Sequence, residues 1–183
     1  MTGVGRLGGE HSLWDMRRTL SVLLVTVATI GCAHSGFDGQ VYRSSDLSFR
    51  LGPVPETARQ VETSEALVAL RDDQAGSTIA VSARCGQDSD DVPLRSLHQH
   101  LFIHFTDRRT IKEEEFTLAH RAALETEMVA SLDGVSSHFV VVVLKHDGCV
   151  YDFIHVDGGG DSATIVQSRA DFRAMVRGFE VLD

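Results

Sequence analysis

The chain has 183 residues, of which 43% are hydrophobic and 23% are charged, a composition typical of a soluble globular protein. This length fits one domain plus a processing segment better than it fits two domains. The formal net charge is −9 at pH 7, and segment 1–31 holds three arginines and two acids, so its removal would leave about −10. An acidic surface is repelled by phosphate backbones, so the charge argues against nucleic-acid binding.

A long apolar run stands near the start of the sequence, after Arg17 and Arg18. Run 20–31 has twelve uncharged residues, which as a helix would span roughly 18 Å, short of the ~30 Å hydrocarbon core of a bilayer. A basic segment, a short apolar segment and a small residue before a cysteine form the pattern of a secretory signal. We expect residues 1–31 to be a signal segment, with Met16 as a possible true start.

Segment 28–32, Ala-Thr-Ile-Gly-Cys, resembles a bacterial lipobox, although Thr29 stands where an aliphatic residue is usual. The resemblance implies that Cys32 is diacylated and anchors the protein in a membrane facing the periplasm. Residues 32–39 would then be the lipidated cysteine and a polar tether. Ala33 after that cysteine implies outer-membrane sorting by the enterobacterial rule. The alternatives are a secreted soluble protein and an uncleaved anchor.

With Cys32 set aside for a lipid, Cys85 and Cys149 remain, an even pair in an oxidising compartment. The pair favours a structural disulfide, which would close a loop of about 64 residues and stabilise the domain by roughly 4 kcal/mol. Two buried free thiols are the alternative. No C-x-x-C motif is present, so redox catalysis is not favoured.

Residues 40–183 are expected to form one domain that begins with short strands. Strands are predicted at 40–42, 47–51, 65–71 and 77–85. Acids suit the positive end of a helix and proline suits its first turn, so Asp90, Asp91 and Pro93 mark a helix start. Apolar residues at helical spacing extend that helix over 94–105.

The second half of the domain predicts more strands and a closing helix. Segment 111–132 is rich in helix formers, but its period-two alternation favours two strands. Strands at 139–144 and 149–156 are apolar on both faces, so helices must cover both sides of the sheet. Ser168 and Asp171 have the spacing of a capping box, and an apolar stripe over 172–179 follows. The sequence therefore predicts an α+β fold, an antiparallel β-sheet sandwiched by helices.

This order of elements resembles the PsbP-like fold. The features that match are an early hairpin with Phe49, the helix at 94–105, the hairpin over 139–156 and the closing helix at 172–179. Segment 145–153 is also similar to a segment of small bacterial lipoproteins with this fold. The resemblance covers residues 40–182 and implies a binding or assembly module. It assigns no functional residue.

Three histidines on the first predicted helix, His98, His100 and His104, are candidate metal ligands. His100 and His104 are one helical turn apart, a spacing that can ligate zinc or copper. Apolar residues occupy the adjacent stripe of this helix, and no H-E-x-x-H motif is present. We therefore favour the interpretation that the histidines lie on a solvated or partly packed face.

No motif in the sequence indicates a catalytic residue or a cofactor. Asp152 lies within a strand covered on both faces, so it needs a partner, as a structural acceptor or as part of a pocket. Segment 157–161, Asp-Gly-Gly-Gly-Asp, is expected to be a flexible connection. We expect a lipid-anchored, non-catalytic module that binds or assembles with another envelope protein. The alternative is a periplasmic protein that binds a small ligand or a metal through its histidine-bearing helix.

Overall fold

A computed structural model of the chain describes residues 36–86 and 91–182. The predicted signal segment, Met16, Cys32 and Asp90 lie outside these residues. The helices are α1 (Leu94–Leu101) and α2 (Ser162–Arg177). The strands are β1 (Gly36–Phe37), β2 (Val41–Arg43), β3 (Ser48–Arg50), β4 (Ala58–Gln60), β5 (Val68–Asp72), β6 (Ser77–Cys85), β7 (Thr106–Leu118), β8 (Arg121–Leu132), β9 (Val135–His146), β10 (Cys149–Val156) and β11 (Glu180–Val181).

The strands form a main sheet of seven strands, in the order β4-β5-β6-β10-β9-β8-β7, and a small sheet in the order β1-β2-β3-β11. Every pairing is antiparallel. The central strands β9 and β10 are apolar on both faces, as expected for strands covered on both sides. The predicted α+β architecture, a sheet between helices, is confirmed.

Each face of the main sheet carries its own apolar core. On the α2 face, Phe172, Met175 and Val176 pack with alternate residues of β9 and β10 and with the β2–β3 hairpin. On the α1 face, the other set of alternate residues packs with α1 and with Phe102. No helix in the described part of the chain is long and apolar enough to cross a membrane.

Strands β6 and β10 have the predicted bounds, and segment 111–132 does form two strands. Strand β7 begins at Thr106, earlier than predicted, and β1, β4 and β11 were not predicted. Those three strands have two or three residues each, too few for a periodic pattern to be visible.

Helix α1 is shorter than predicted, because it ends at Leu101 and not at Phe105. The chain then turns, and the amide of Phe105 donates to the carbonyl of Phe102 at 3.0 Å. The rings of Phe102 and Phe105 pack against Phe139, with centroids 5.2 and 5.5 Å apart. Aromatic spacing that fits a helix is therefore used in a turn that leads the chain into β7.

Helix α2 begins before Ser168, so the predicted capping residue is wrong. Asp161 caps the helix, and its side chain accepts from the amides of Ala163 and Thr164. The glycine-rich segment 157–161 before it, which the sequence predicts to be flexible, is fixed by contacts with the turn between β5 and β6. The amide of Gly160 donates to the carbonyl of Ala75 at 3.2 Å, and a side chain at Gly158 would overlap the carbonyl of Gly76.

The structure joins Cys85 and Cys149 in a disulfide. The two cysteines are direct partners in the β6–β10 ladder, with Cα atoms 4.0 Å apart. The bridge therefore links β6 to β10, and β10 contributes residues to both cores.

Candidate functional site

Two sets of polar side chains lie on opposite faces of the main sheet. The α2 network is defined by Glu125, Glu127, His138, Asp157, Arg169 and Arg173. The α1 groove is defined by a polar rim and an apolar floor; the rim is Arg95, His98, Gln99, Arg108, Thr110 and Glu113, and the floor is Phe102 and Met128.

The α2 network pairs the acids of the sheet with the arginines of α2. Arg173 donates from Nε to Oε1 of Glu125 at 2.6 Å and from Nη2 to Oε2 of Glu127 at 2.8 Å. Arg169 donates from Nε to both carboxylate oxygens of Asp157 at 3.1 Å. The acids thus meet guanidinium groups at close range, which offsets the loss of their hydration.

Beside the network, His155 joins two serines in a buried chain of hydrogen bonds. Its Nε2 lies 2.9 Å from the hydroxyl of Ser168, which lies 2.7 Å from the hydroxyl of Ser77. Burial lowers the pKa of His155 to about 4, so its ring is neutral at neutral pH. These hydrogen bonds connect the middle of α2 to β10 and β6.

Ser168, His155 and Asp157 are the residue types of a catalytic triad, in which a nucleophile, a base and an orienting acid are hydrogen-bonded in series. Their geometry does not match such a triad. Nδ1 of His155 lies 3.4 Å from Oδ1 of Asp157 and makes no hydrogen bond to it. His155 is 0% exposed and Ser168 is 6% exposed. A nucleophile must reach the reacting carbon, so this set is better suited to holding α2 in place.

Asp152 lies on the α1 face and finds a partner in Arg84 of the neighbouring strand. Nη2 of Arg84 is 2.9 Å from Oδ2, whereas Oδ1 has no hydrogen bond to a described residue. Burial raises the pKa of Asp152 to about 6, and the guanidinium of Arg84 opposes that rise.

The three candidate metal ligands are not brought together. His98 is buried, His100 is exposed, and His104 is exposed in the turn beyond the end of α1. The described residues contain no group of three or more side chains arranged to hold a metal ion. The one-turn spacing of His100 and His104 assumed a helix through 105, which the structure does not have.

The α1 groove is a cavity of about 320 Å³ between α1, β7 and β8. Arg95 pairs with Glu113 across it, and Nη1 of Arg108 donates to the carbonyl of Phe102 at 3.3 Å. With one acid against two guanidinium groups, the rim carries a net positive charge.

His98 contributes a buried polar atom to the groove. Its ring packs on Phe102 with centroids 5.3 Å apart, and its Nε2 has no hydrogen bond to a described residue. Burial lowers the pKa of His98, an effect that Glu113 opposes and Arg108 reinforces, so the ring is neutral at neutral pH. Thr126 opposes Glu113 in the β7–β8 ladder and has a buried hydroxyl without a described partner.

Sequence reasoning identified His98 but missed the arginines of the groove. The position of Arg108 depends on the register shift between Thr106 and Arg109 and on the left-handed backbone of Asp107, with φ +49°. A strict period of two does not predict such a shift. The available signal was the basic pair at Arg108 and Arg109 in an otherwise acidic domain.

No protein-family model matches the sequence, and no curated protein matches it. Solved structures do match. Cyanobacterial PsbP from Synechocystis superposes with a TM-score of 0.57 at 11% identity, over 84% of this chain and 99% of its own. This likeness establishes a PsbP-like fold.

Two other similar structures come from different organisms. LpqN of Mycobacterium tuberculosis, described as involved in cell envelope biogenesis, has a TM-score of 0.53 at 16% identity, over 77% of this chain and 88% of its own. The Ran-binding protein Mog1p of Saccharomyces cerevisiae has a TM-score of 0.55 at 10% identity, over 72% and 89%. At such identities the likeness concerns the fold alone.

Proposed function

We propose that this protein is a lipid-anchored protein of the cell envelope that acts as a non-catalytic binding or assembly module, with the α1 groove as its contact site. The observation that carries the proposal is the cationic rim and apolar floor of the groove, on a chain whose net charge is −9. Local positive charge on an acidic protein steers acidic partners to that place.

The chemistry of the groove favours a carboxylate that is attached to an apolar group. Arg108 has guanidinium donors beyond the one that binds the carbonyl of Phe102, and a guanidinium matches a carboxylate well. Phe102 and Met128 would receive the apolar part, and Nε2 of His98 would gain a partner. An acidic segment of another envelope protein has this composition.

The envelope location is inferred from the signal-like segment and from the resemblance of the residues around Cys32 to a lipobox. The fold that the chain shares with LpqN and Mog1p supports a binding role by analogy. Replacement of Cys32 by alanine is expected to move the protein from the membrane fraction to the soluble fraction. Retention of Cys32→Ala in the membrane would contradict the lipid anchor.

The binding role can be tested with the full lipoprotein in mild detergent, with hexanoate and a short peptide bearing aspartate between two leucines as probes. Isothermal titration calorimetry should show binding of the carboxylates and no binding of hexanamide. Arg108→Ala should weaken binding at least about tenfold, because hydrogen bonds to charged groups contribute about 1.5–3 kcal/mol. Arg109→Ala is the matched control, since Arg109 pairs with Val129 on the opposite face.

The same titration separates two kinds of occupant. A groove volume of about 320 Å³ lies within the range of small-molecule sites, so a small periplasmic carboxylate is the second candidate. Saturable binding of hexanoate as tight as that of the peptide would favour the small molecule. Equal binding of hexanoate and hexanamide, or no effect of Arg108→Ala, would contradict the proposed site.

A further inference from the structure

Strand β7 is the last strand of the main sheet and pairs only with β8 in the described part of the chain. It has 13 residues, and 106–115 are exposed. An exposed edge of this length presents backbone donors and acceptors that can pair with another strand.

Apart from Asp107 and Lys112, the charges of β7 are separated by sign along the strand. Arg108 and Arg109 stand in its first half, and acids occupy 113–115 in its second half. Ile111, near the middle, is 48% exposed. An antiparallel strand that approached this edge with the same sequence would place acids opposite arginines at both ends.

The register of such a pairing follows from the faces of the sheet. Arg109 and Glu114 oppose Val129 and Glu125 of β8, two residues that share the α2 face. Thr110 and Glu113 oppose Met128 and Thr126, which share the α1 face.

Directly opposed residues of antiparallel strands lie on the same face. A two-fold axis between Ile111 and Lys112 satisfies this condition for two copies of β7. It pairs Arg109 with Glu114 and Thr110 with Glu113, and it brings Arg108 opposite Glu115. A shift by two residues would instead oppose Arg109 to Lys112 and bring like charges together.

The charges that would meet are available. Arg109 and Glu115 make no ion pair with any described residue. Glu114 is held by Lys112 at 2.5 Å, with side chains 54% and 60% exposed, so it can accept a second cation. Charges and bulges on an edge strand ordinarily prevent pairing with unrelated strands. In β7 the order of the charges is complementary to a second, antiparallel copy of the same strand and not to an unrelated strand.

We propose that two copies of this chain associate through antiparallel pairing of their β7 edges, about a two-fold axis between Ile111 and Lys112. The bulge at Ile111 interrupts the ladder at the axis, so two short ladders flank it, each joining 108–110 of one copy to 113–115 of the other. The interface is isologous, as in most homodimers, and it joins the two main sheets into one. The ladders include Arg108, Thr110 and Glu113 of the groove rim, but Arg109 and Glu114 lie on the opposite face. Variants at Arg109 and Glu114 therefore test the dimer without changing the groove.

The test is a charge exchange on the full lipoprotein in detergent micelles, followed by sedimentation equilibrium. The wild type should form dimers. Arg109→Glu and Glu114→Arg should each raise the dissociation constant at least tenfold, because each places like charges opposite each other twice. An equimolar mixture of the two variants should restore the dimer, because opposite charges then meet at both positions. Arg59→Glu on β4, at the other edge of the sheet, is the matched control and should leave the dimer intact.

A second measurement does not depend on the variants. Hydrogen exchange of the wild type should slow at the amides of β7 as the protein concentration rises, with no change at β4. A monomeric wild type, a dimer that neither variant weakens, variants that fail to restore each other, or β7 amides indifferent to concentration would each overturn the proposal.

Discussion

The α2 face and the α1 face of the main sheet both bury polar side chains, but they differ in how those side chains are partnered. On the α2 face, the acids at Glu125, Glu127 and Asp157 all meet arginines of α2. Nδ1 of His138 and of His155 make no hydrogen bond on this face, but each lies 3.4 Å from a carboxylate oxygen of Asp157. On the α1 face, buried atoms of His98, Thr126 and Asp152 make no hydrogen bond to a described residue.

This difference agrees with a structural role for the α2 network and with the proposed binding role of the α1 groove. Buried polar atoms that are fully paired hold elements together, whereas an unpaired atom is retained at a free-energy cost and invites a partner. The longer helix closes its face of the sheet. The eight-residue helix α1 leaves a groove on the other face.

Loss of the disulfide should have the largest effect, and it should affect both faces alike. The double change Cys85→Ser and Cys149→Ser should lower the free energy of unfolding by about 4 kcal/mol, because the bridge closes a loop of 64 residues in the unfolded chain. Urea denaturation measures the loss, and native-state hydrogen exchange should show equal changes on both faces. Destabilisation confined to one face would contradict this expectation, which depends on the residues that β10 contributes to both cores.

Removal of one arginine from each face should distinguish the two faces directly. Arg173→Ala would leave Glu125 buried without its cation and should lower the free energy of unfolding by roughly 2–3 kcal/mol. Arg95→Ala should cost less than about 1 kcal/mol, because Arg95 is 66% exposed. Urea denaturation of both variants makes the comparison. Equal losses of unfolding free energy in the two variants would contradict the difference between the paired α2 network and the exposed rim of the α1 groove.

The two faces should also respond to pH in opposite directions. The pKa of His155 falls from 6.5 to about 4, so the unfolded chain binds the extra proton and stability is lost as pH falls from about 6.5 towards 4. The pKa of Asp152 rises from 3.8 to about 6, so the folded chain binds the extra proton and stability is lost as pH rises from about 4 to 6. Each effect is on the order of 1–3 kcal/mol.

Variants can resolve these opposed effects. The stability of the wild type relative to His155→Gln should increase with pH between about 4 and 6.5, and relative to Asp152→Asn it should decrease between about 4 and 6. Denaturant titrations at several pH values give both slopes. If relative stability changed with pH in the same direction for both variants, the burial effect on the pKa of either His155 or Asp152 would be absent.

The sequence predicts the fold best where burial imposes a clear pattern. Strand β6 alternates and β10 is apolar throughout, so both bounds are predicted correctly. The start of α2 is missed because Thr164, Ile165 and Val166 disfavour a helix by propensity. Tertiary contacts override that preference: Gly160 binds Ala75, and Asp161 then supplies the cap.

The candidate site is less visible in the sequence than the fold. His98 stands out as one of a helical group of histidines, but its burial depends on the turn that packs Phe102 against Phe139. Arg108 reaches the groove through backbone shifts that no period describes. Both depend on contacts between residues far apart in the chain, which local patterns do not contain.

The pairing of β6 with β10 has a consequence for how the chain reaches this structure. Strands β7 to β10 follow one another as hairpins and can zip up locally, as can β4 to β6, but the two groups meet only when Cys85 lies beside Cys149. Bringing the two strands together closes a loop of 64 residues, so the chain loses conformational entropy before the contacts between β6 and β10 can form. We therefore expect the closing of the β6–β10 seam to limit the folding rate, so that an oxidant acting on the chain finds the two thiols together only at the final stage.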